Sequence, residues 1–310
     1  MASTAVVRKN SIDKATKVVL IAQNPKSGAG NKGKLVQRLA NRLTESGLAV
    51  HVIQDLDQLE NSVNEHTAAG ELRCVVSAGG DGTVSLLVNR LHRGTPFFVF
   101  PLGTANLLAK YLKTSLQIES AVQSIISGQT ITMDVGKANE KLFVVVASCG
   151  YDADVVHRLH ARRKGHINYA TYFWPVVQSI FGYRFGAMKL IADGIELAPV
   201  KWSFVFNVPK YAVGLQFTPQ ADPMDSKLDW CCFSGGGFLT GLLYFFAVLF
   251  GRHQHLKSCS FGQFSKLEIV SNSGTELPVQ LDGDPAGFTP VTLETVPDAL
   301  TVVVDENWSP

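Results

Sequence analysis

The sequence predicts an α/β domain followed by an all-β domain: an N-terminal doubly wound parallel sheet, then a mainly antiparallel β domain with helical insertions. Three observations carry this reading. Apolar runs alternate with amphipathic stretches from Lys17 to Ser127, the pattern of a parallel sheet covered by helices. After "TITMDVGKAN" the texture changes to short β-rich runs separated by Gly, Pro and Asn turns. Three glycine-rich turns in the first part each follow a strand and precede a helix.

The elements follow in order. "KVVLIAQ" reads as a buried strand, and Gly33 to Ser46 as a helix with Leu35, Leu39 and Leu43 on one face, stopped by Gly47. "LAVHVIQ" is a strand, Leu56 to Ala69 a helix and "LRCVVSA" a strand. Helix "TVSLLVNRLHR", strand "PFFVFPL", helix "NLLAKYL" and a last helix over Ile118 to Ser127 complete the domain. The β-rich part comprises "KLFVVVASCG", "MKLIAD", "VKWSFVFNV", "LDWCCFSG", "SKLEIVS", "LPVQLDGD" and "TVVVDE". Helical stretches interrupt it at Asp152 to Phe185 and Phe238 to Phe250. The expected boundaries are a flexible lead-in over 1–16, the α/β domain over 17–133 and the β domain over 134–297. Residues 298–310 are free to pack back on the first domain.

Composition narrows the function classes. The chain of 310 residues is 46% hydrophobic, enough for two cores. Its net charge of +2 gives no global field toward nucleic acid. The odd count of 5 cysteines lacks metal-ligand spacing and reads as reduced packing residues of a cytoplasmic protein. No N-terminal stretch has the length of a signal peptide, and Gly235 to Gly251 falls short of a spanning helix.

Chemistry concentrates in the three turns: "NPKSGAG" (Asn24 to Gly30), "SAGGDGT" (Ser77 to Thr83) and "PLGTANLLA" (Pro101 to Ala109). All lie at the carboxyl ends of parallel strands, where doubly wound folds bind ligands. Glycines let backbone N–H groups curl around phosphate, and a following helix adds its positive end. Ser27, Thr83 and Thr104 add hydroxyls, Lys26 a cation, and Asp81 a short acid. "GAGNKGKL" is not a Walker A loop, because Leu35 stands where the Mg²⁺-binding hydroxyl belongs. "GAGNKG" also fits the dinucleotide fingerprint, with Asp55 near the ribose-binding position. That reading ranks second, because "NPKS" intervenes after the strand and "GGDGT" stays unexplained.

Together "NPKSGAG", "GGDGTVSLLVNRL" and "PLGTANLLA" resemble the catalytic domain of diacylglycerol kinases. That superfamily includes sphingosine kinases, ceramide kinases and soluble bacterial lipid kinases, with NAD kinases as distant relatives. Downstream, "CGYDADVV", "FTPQADPMDSKLD" and "QLDGDPAG" resemble further family segments, so the likeness runs from Val18 to the C-terminus.

The resemblance implies ATP-dependent phosphorylation of a lipid hydroxyl, with Mg²⁺, in a cleft between the α/β domain and a β-sandwich. The product from diacylglycerol would be phosphatidic acid. Carried over, Asn24, Pro25, Lys26, Ser27, Gly28, Gly79, Gly80, Asp81, Gly82, Thr83, Thr104 and Asn106 hold ATP. Asp81 serves Mg²⁺–phosphate or proton chemistry, Asp282 brings a second acid, and Asp284 is the base. A structural Mg²⁺ is implied around Asp222, Asp225 and Lys227.

Departures from the family pattern are Asp284 in place of glutamate, Ser226 in place of glycine, Leu107 at an often polar position, and Gln54–Asp55 where a threonine is common. Taken alone, Asp282–Gly283–Asp284 is a β-turn signal.

Two segments pair aromatics with basic residues: His157 to Phe185 and Gly237 to Lys257. Apolar helical faces usually cover a core. The lipid-kinase resemblance makes reversible docking on an anionic membrane surface an equal expectation. The expected partners are ATP and a lipid, without nucleic acid, and a homodimer is compatible with them. The expected location is the cytoplasm, extending to the inner face of the membrane. Other acceptors (a sphingoid base, ceramide, monoacylglycerol or phosphatidylglycerol), a dinucleotide-dependent oxidoreductase and a non-catalytic nucleotide-binding module are the alternatives.

Overall fold

The computed structural model describes residues 9–23, 31–161 and 186–310. The "NPKSG" loop, with Asn24 to Gly28, lies outside the described residues, as does the aromatic part of the 157–185 segment. The chain divides into two compact units, Met1–Met133 with Asp298–Pro310, and Asp134–Pro297.

The first unit contains β1 (Lys9–Ser11), β2 (Val18–Gln23), α1 (Asn31–Glu45), β3 (Ala49–Ile53), α2 (Leu56–Ala68) and β4 (Leu72–Gly79). It continues with α3 (Asp81–Val88), β5 (Phe97–Pro101), α4 (Leu107–Tyr111), α5 (Ile118–Ser127) and β6 (Gln129–Ala138), which runs past its boundary. Strands pair in the order β3-β2-β4-β5, all parallel. β2 and β4 are buried almost throughout, which is why they read as unbroken apolar runs rather than alternating ones. Val36, Leu39 and Leu43 of α1 and Val122 and Ile125 of α5 pack on Ile21, Val76 and Phe98 of these strands.

Within the lead-in, Lys9–Ser11 forms a strand. Lys9–Ser11 pairs antiparallel with Gln129–Ile131. Arg73 of β4, 2% exposed, donates to the carbonyls of Ile125 (2.6 Å) and Asp13 (3.2 Å). The cation also caps the C-terminal end of α5, where helix carbonyls favour positive charge.

The second unit holds β7 (Lys141–Phe143), β8 (Val146–Gly150), α6 (Tyr151–Ala161), β9 (Met188–Ala192), β10 (Ile195–Glu196), β11 (Trp202–Phe206) and β12 (Leu228–Phe233). Then come α7 (Phe238–Leu249), β13 (Cys259–Phe264), β14 (Lys266–Ser271), β15 (Pro278–Leu281), β16 (Asp284–Phe288) and β17 (Val291–Val303). One antiparallel sheet has the order β13-β12-β11-β8-β15-β16. A second antiparallel set joins β10, β9, β14 and the first half of β17. Their inner faces share one core: Leu190, Leu267, Ile269 and Leu293 from one, and Cys149, Val205, Trp230 and Val279 from the other. This is a β-sandwich. The second half of β17 returns to the first unit, where Val302 pairs parallel with Phe97 of β5.

All five cysteines are free; Cys74, Cys149, Cys231 and Cys232 are buried and Cys259 is partly so.

Candidate active site

In the first unit, the ends of β2, β4 and β5 lie in register, with Gln23 beside Ala78 and Gly79 beside Pro101. The "GGDGT" and "PLGTAN" turns therefore leave the sheet side by side. Their backbones touch: a Cβ on Gly103 would lie 2.4 Å from the Gly80 Cα. A Cβ on Gly79 would lie 2.2 Å from the Thr83 Oγ1. These glycines are thus required by packing, whatever ligand they face. Gly103→Ala is expected to destabilise the protein by about 1–3 kcal/mol through overpacking, read as a lower midpoint in urea.

Asp81 ties the two turns together. Its Oδ1 accepts from the Leu107 N–H at 2.7 Å. Burial raises the Asp81 carboxyl above the usual aspartate range, while the backbone N–H groups of Leu107, Asn106 and Leu108 oppose the rise. Asn106 shapes the second turn from within. Its backbone is left-handed, with φ 48° and ψ 53°. Its Oδ1 accepts from the Gly103 N–H and its Nδ2 donates to the Gly103 carbonyl, each at 2.9 Å. An asparagine suits this place because it tolerates the left-handed region and bonds locally. Thr83 is buried at the start of α3, and Gly82 and Thr104 are exposed.

In the second unit, Asp282 and Gly283 form the two-residue turn between β15 and β16, with Leu281 opposite Asp284. Both turn residues have positive φ, 50° and 88°, as a type I′ hairpin demands. Asp282 is tied to the backbone of the second unit. Its carboxylate accepts from three successive backbone amides, Val144 (2.8 Å), Val145 (2.8 Å) and Val146 (3.0 Å). An acid so engaged anchors the hairpin.

Gln280, fully buried, holds the turn from the other side. Its Oε1 accepts from the Gly283 N–H at 2.8 Å, and its Nε2 donates to Ser148 Oγ at 2.9 Å and Asp152 Oδ2 at 3.2 Å. Asp152 also accepts from Ser148 Oγ at 2.6 Å and from the Tyr211 hydroxyl at 3.2 Å. Burial raises the Asp152 carboxyl, and its bonds to Ser148, Tyr211 and Gln280 offset part of that. The network fixes the hairpin, and the hairpin presents Asp284, whose side chain is 52% exposed and lies 3.8 Å from His160 Nδ1 of α6.

Sequence reasoning missed Ser148, Tyr211, Gln280 and His160 as parts of this arrangement. Asp152 stood in a quoted segment without a role. The one available signal was Gln280 in "QLDGD"; Tyr211 and His160 carry none in sequence.

The Asp222–Lys227 segment is a third arrangement within the second unit. Asp222 Oδ1 accepts from the Met224 N–H (3.1 Å), and Asp225 Oδ1 from the Lys227 N–H (3.0 Å). Asp225 Oδ2 accepts from Gln263 Nε2 at 2.8 Å. The carboxylates thus serve the turn and its neighbour, and no group of three acidic, His or Cys side chains among the described residues could hold a metal. The structural Mg²⁺ that the resemblance implied at this segment, held partly through backbone carbonyls, stays an expectation. Nearby, burial pushes the Asp229 carboxyl up to about 6.

Ser226 explains the family's glycine at this place, for its φ is 62° and its N–H donates to Asp134 Oδ2 at 2.7 Å. Ser226→Gly is expected to raise stability by about 0.5–1 kcal/mol, since glycine avoids the left-handed penalty at a smaller entropic cost. Urea unfolding would measure it.

The chain resembles known proteins along nearly its whole length. Residues 17–138 match the family model described as the diacylglycerol kinase catalytic domain. Residues 144–304 match the YegS C-terminal NAD kinase beta sandwich-like domain. A relative from Yersinia enterocolitica, named "Probable lipid kinase YegS-like", is 29% identical over 293 residues, covering 90% of this chain and 94% of that protein. A protein of Staphylococcus carnosus named "Diacylglycerol kinase" is 26% identical over 301 residues, covering 93% and 95%. A crystal structure of a diacylglycerol kinase from Bacillus anthracis superposes with a TM-score of 0.68 at 20% identity, covering 94% of this chain and 97% of that one. Two family models matched in tandem, over an α/β unit and a β-sandwich, place the chain in the diacylglycerol kinase catalytic-domain family, as a bacterial-type lipid kinase and hence a phosphotransferase.

Proposed function

We propose that the protein transfers the γ-phosphoryl group of MgATP to the free hydroxyl of diacylglycerol, giving phosphatidic acid and ADP. The observation that carries the chemical part is the Asp282–Asp284 hairpin. A buried network of Gln280, Ser148 and Asp152, with Asp282 on three amides, leaves one acid, Asp284, held outward. A base for phosphoryl transfer needs this combination of fixed placement and access.

Asp284 takes the proton of the acceptor hydroxyl as its oxygen attacks the γ-phosphorus, and ADP leaves. Asp282, Gln280 and Asp152 act through Asp284 as positioning residues. Asn24 to Gly28, Gly79 to Thr83, Thr104 and Asn106 bind the nucleotide. The interlocked "GGDGT" and "PLGTAN" turns support that role, since a cradle fixed before binding costs less to order around phosphates. Asp81 holds the two turns in register and sets a negative charge among them for the Mg²⁺ that accompanies ATP. Diacylglycerol is favoured as acceptor by the names of the relatives.

The test is transfer from radiolabelled ATP with Mg²⁺ to a lipid panel in mixed micelles. Labelled phosphatidic acid from diacylglycerol is the expected result. Label on ceramide, a sphingoid base or phosphatidylglycerol alone would replace the acceptor. ATP binding without any labelled lipid would leave a nucleotide-binding module.

A further inference from the structure

α7 presents a broad apolar surface. A narrow stripe attaches it to the sandwich: Tyr244 stacks on Phe233 with ring centroids 4.4 Å apart, and Val248 is buried. Gly241 lets Trp202 come close, since a Cβ there would lie 3.1 Å from the indole. The Tyr244 hydroxyl accepts from the Gly235 N–H at 3.0 Å, which pins the start of the helix.

The opposite face is apolar and open. Leu239 is 77% exposed, Leu243 55%, Phe246 46% and Phe250 71%, at the spacing of a single helical stripe, with Leu242 and Leu249 exposed beside it. Six large apolar side chains turned to water make a patch that calls for an occupant.

Charge indicates which one. From Gly235 to Lys257 there is no Asp or Glu. Just past the helix, Arg252, His255 and Lys257 are exposed, while buried His253 anchors their turn through Nε2 to the Phe217 carbonyl at 2.8 Å. An anionic lipid surface complements an apolar face with a basic end. A second copy of the chain, pairing through the same segment, would offer Arg252 and Lys257 no acid there.

We infer that α7 and the Arg252–Lys257 turn form a docking surface for an anionic bilayer, with the Leu239–Phe250 stripe at the acyl boundary and the two cations among the headgroups. The helix lies on the membrane: its 12 residues span roughly 18 Å at 1.5 Å each, against about 30 Å of hydrocarbon. No helix among the described residues is long and apolar enough to cross. The choice of a membrane rests on the lipid-kinase reading.

The experiment uses the full chain and vesicles of phosphatidylcholine with or without phosphatidylglycerol. Wild type is expected to sediment with the anionic vesicles and to be released by salt. Leu243→Glu/Phe246→Glu should lower that partitioning at least tenfold. Arg252→Gln/Lys257→Gln should remove the preference for anionic over neutral vesicles. Both variants should keep the wild-type melting temperature and phosphorylate a dissolved short-chain acceptor within twofold of wild type.

Unchanged vesicle binding in Leu243→Glu/Phe246→Glu would overturn the inference, as would a wild-type dimer that this variant converts to monomer without loss of vesicle binding. Wild-type phosphorylation of lipids alongside such a result would leave the kinase reading intact. Stripe-dependent binding without phosphorylation of any lipid would instead reject the kinase reading and keep the surface.

Discussion

Asp284→Ala is expected to lower kcat by about 10²–10⁴-fold, the usual worth of a positioned proton acceptor, while the protein stays folded and binds ATP. The side chain is 52% exposed and sits at the end of a hairpin fixed by other residues. Its truncation should therefore change stability by no more than about 0.5 kcal/mol. Asp284→Asn keeps the shape and removes the proton acceptor, so it should be nearly as inactive as alanine. Asp284→Glu restores an acid one methylene longer and should recover measurable turnover. The readout is labelled phospholipid per unit time at saturating ATP, with ATP affinity measured separately. Wild-type kcat in Asp284→Asn would remove the residue from the chemistry and leave the hairpin as structure only.

The second large effect belongs to Asp81. Asp81→Ala removes the acceptor of the Leu107 N–H and releases the contact between the two turns. The part-buried Leu107 donor left without its partner costs on the order of 1 kcal/mol, so the unfolding midpoint should fall along with nearly all turnover. Asp81→Asn separates the two contributions. Its amide oxygen still accepts from Leu107, so most of the stability should return. The charge does not return, and turnover should stay at least tenfold below wild type. Should Asp81→Asn regain full activity, the residue's part is to hold the turns together, and its charge plays none.

Much of the fold was legible in local sequence. The alternation from Lys17 to Ser127 predicted the parallel sheet, and Ile118–Ser127 is a helix at the predicted bounds. The Asp-Gly pair at 282–283 predicted a tight turn, and the two positive φ values show why those residue types stand there. Each of these signals acts over a few residues: strand and helix periods, helix stops, and the conformational freedom of glycine.

The site was legible in part. Its glycines were visible, but the reason for two of them was not. Gly80 and Gly103 are small because their turns touch each other. Asp282 was visible as an acid, but its bonds to amides some 138 residues earlier in the chain were not. The apolar run at 238–249 read equally as core cover and as a membrane face, and the structure leaves most of it uncovered.

By itself, then, the sequence determined which segments are strands and helices, where the chain turns, and which acids and glycines stand at those turns. Tertiary structure alone decided what each acid bonds to, which glycines face one another, and which face of α7 is open. The physical reason is range. Periodicity and turn chemistry are settled among neighbours along the chain, whereas a carboxylate's partners and a helix's covered face are settled by strands that pair across a hundred residues or more.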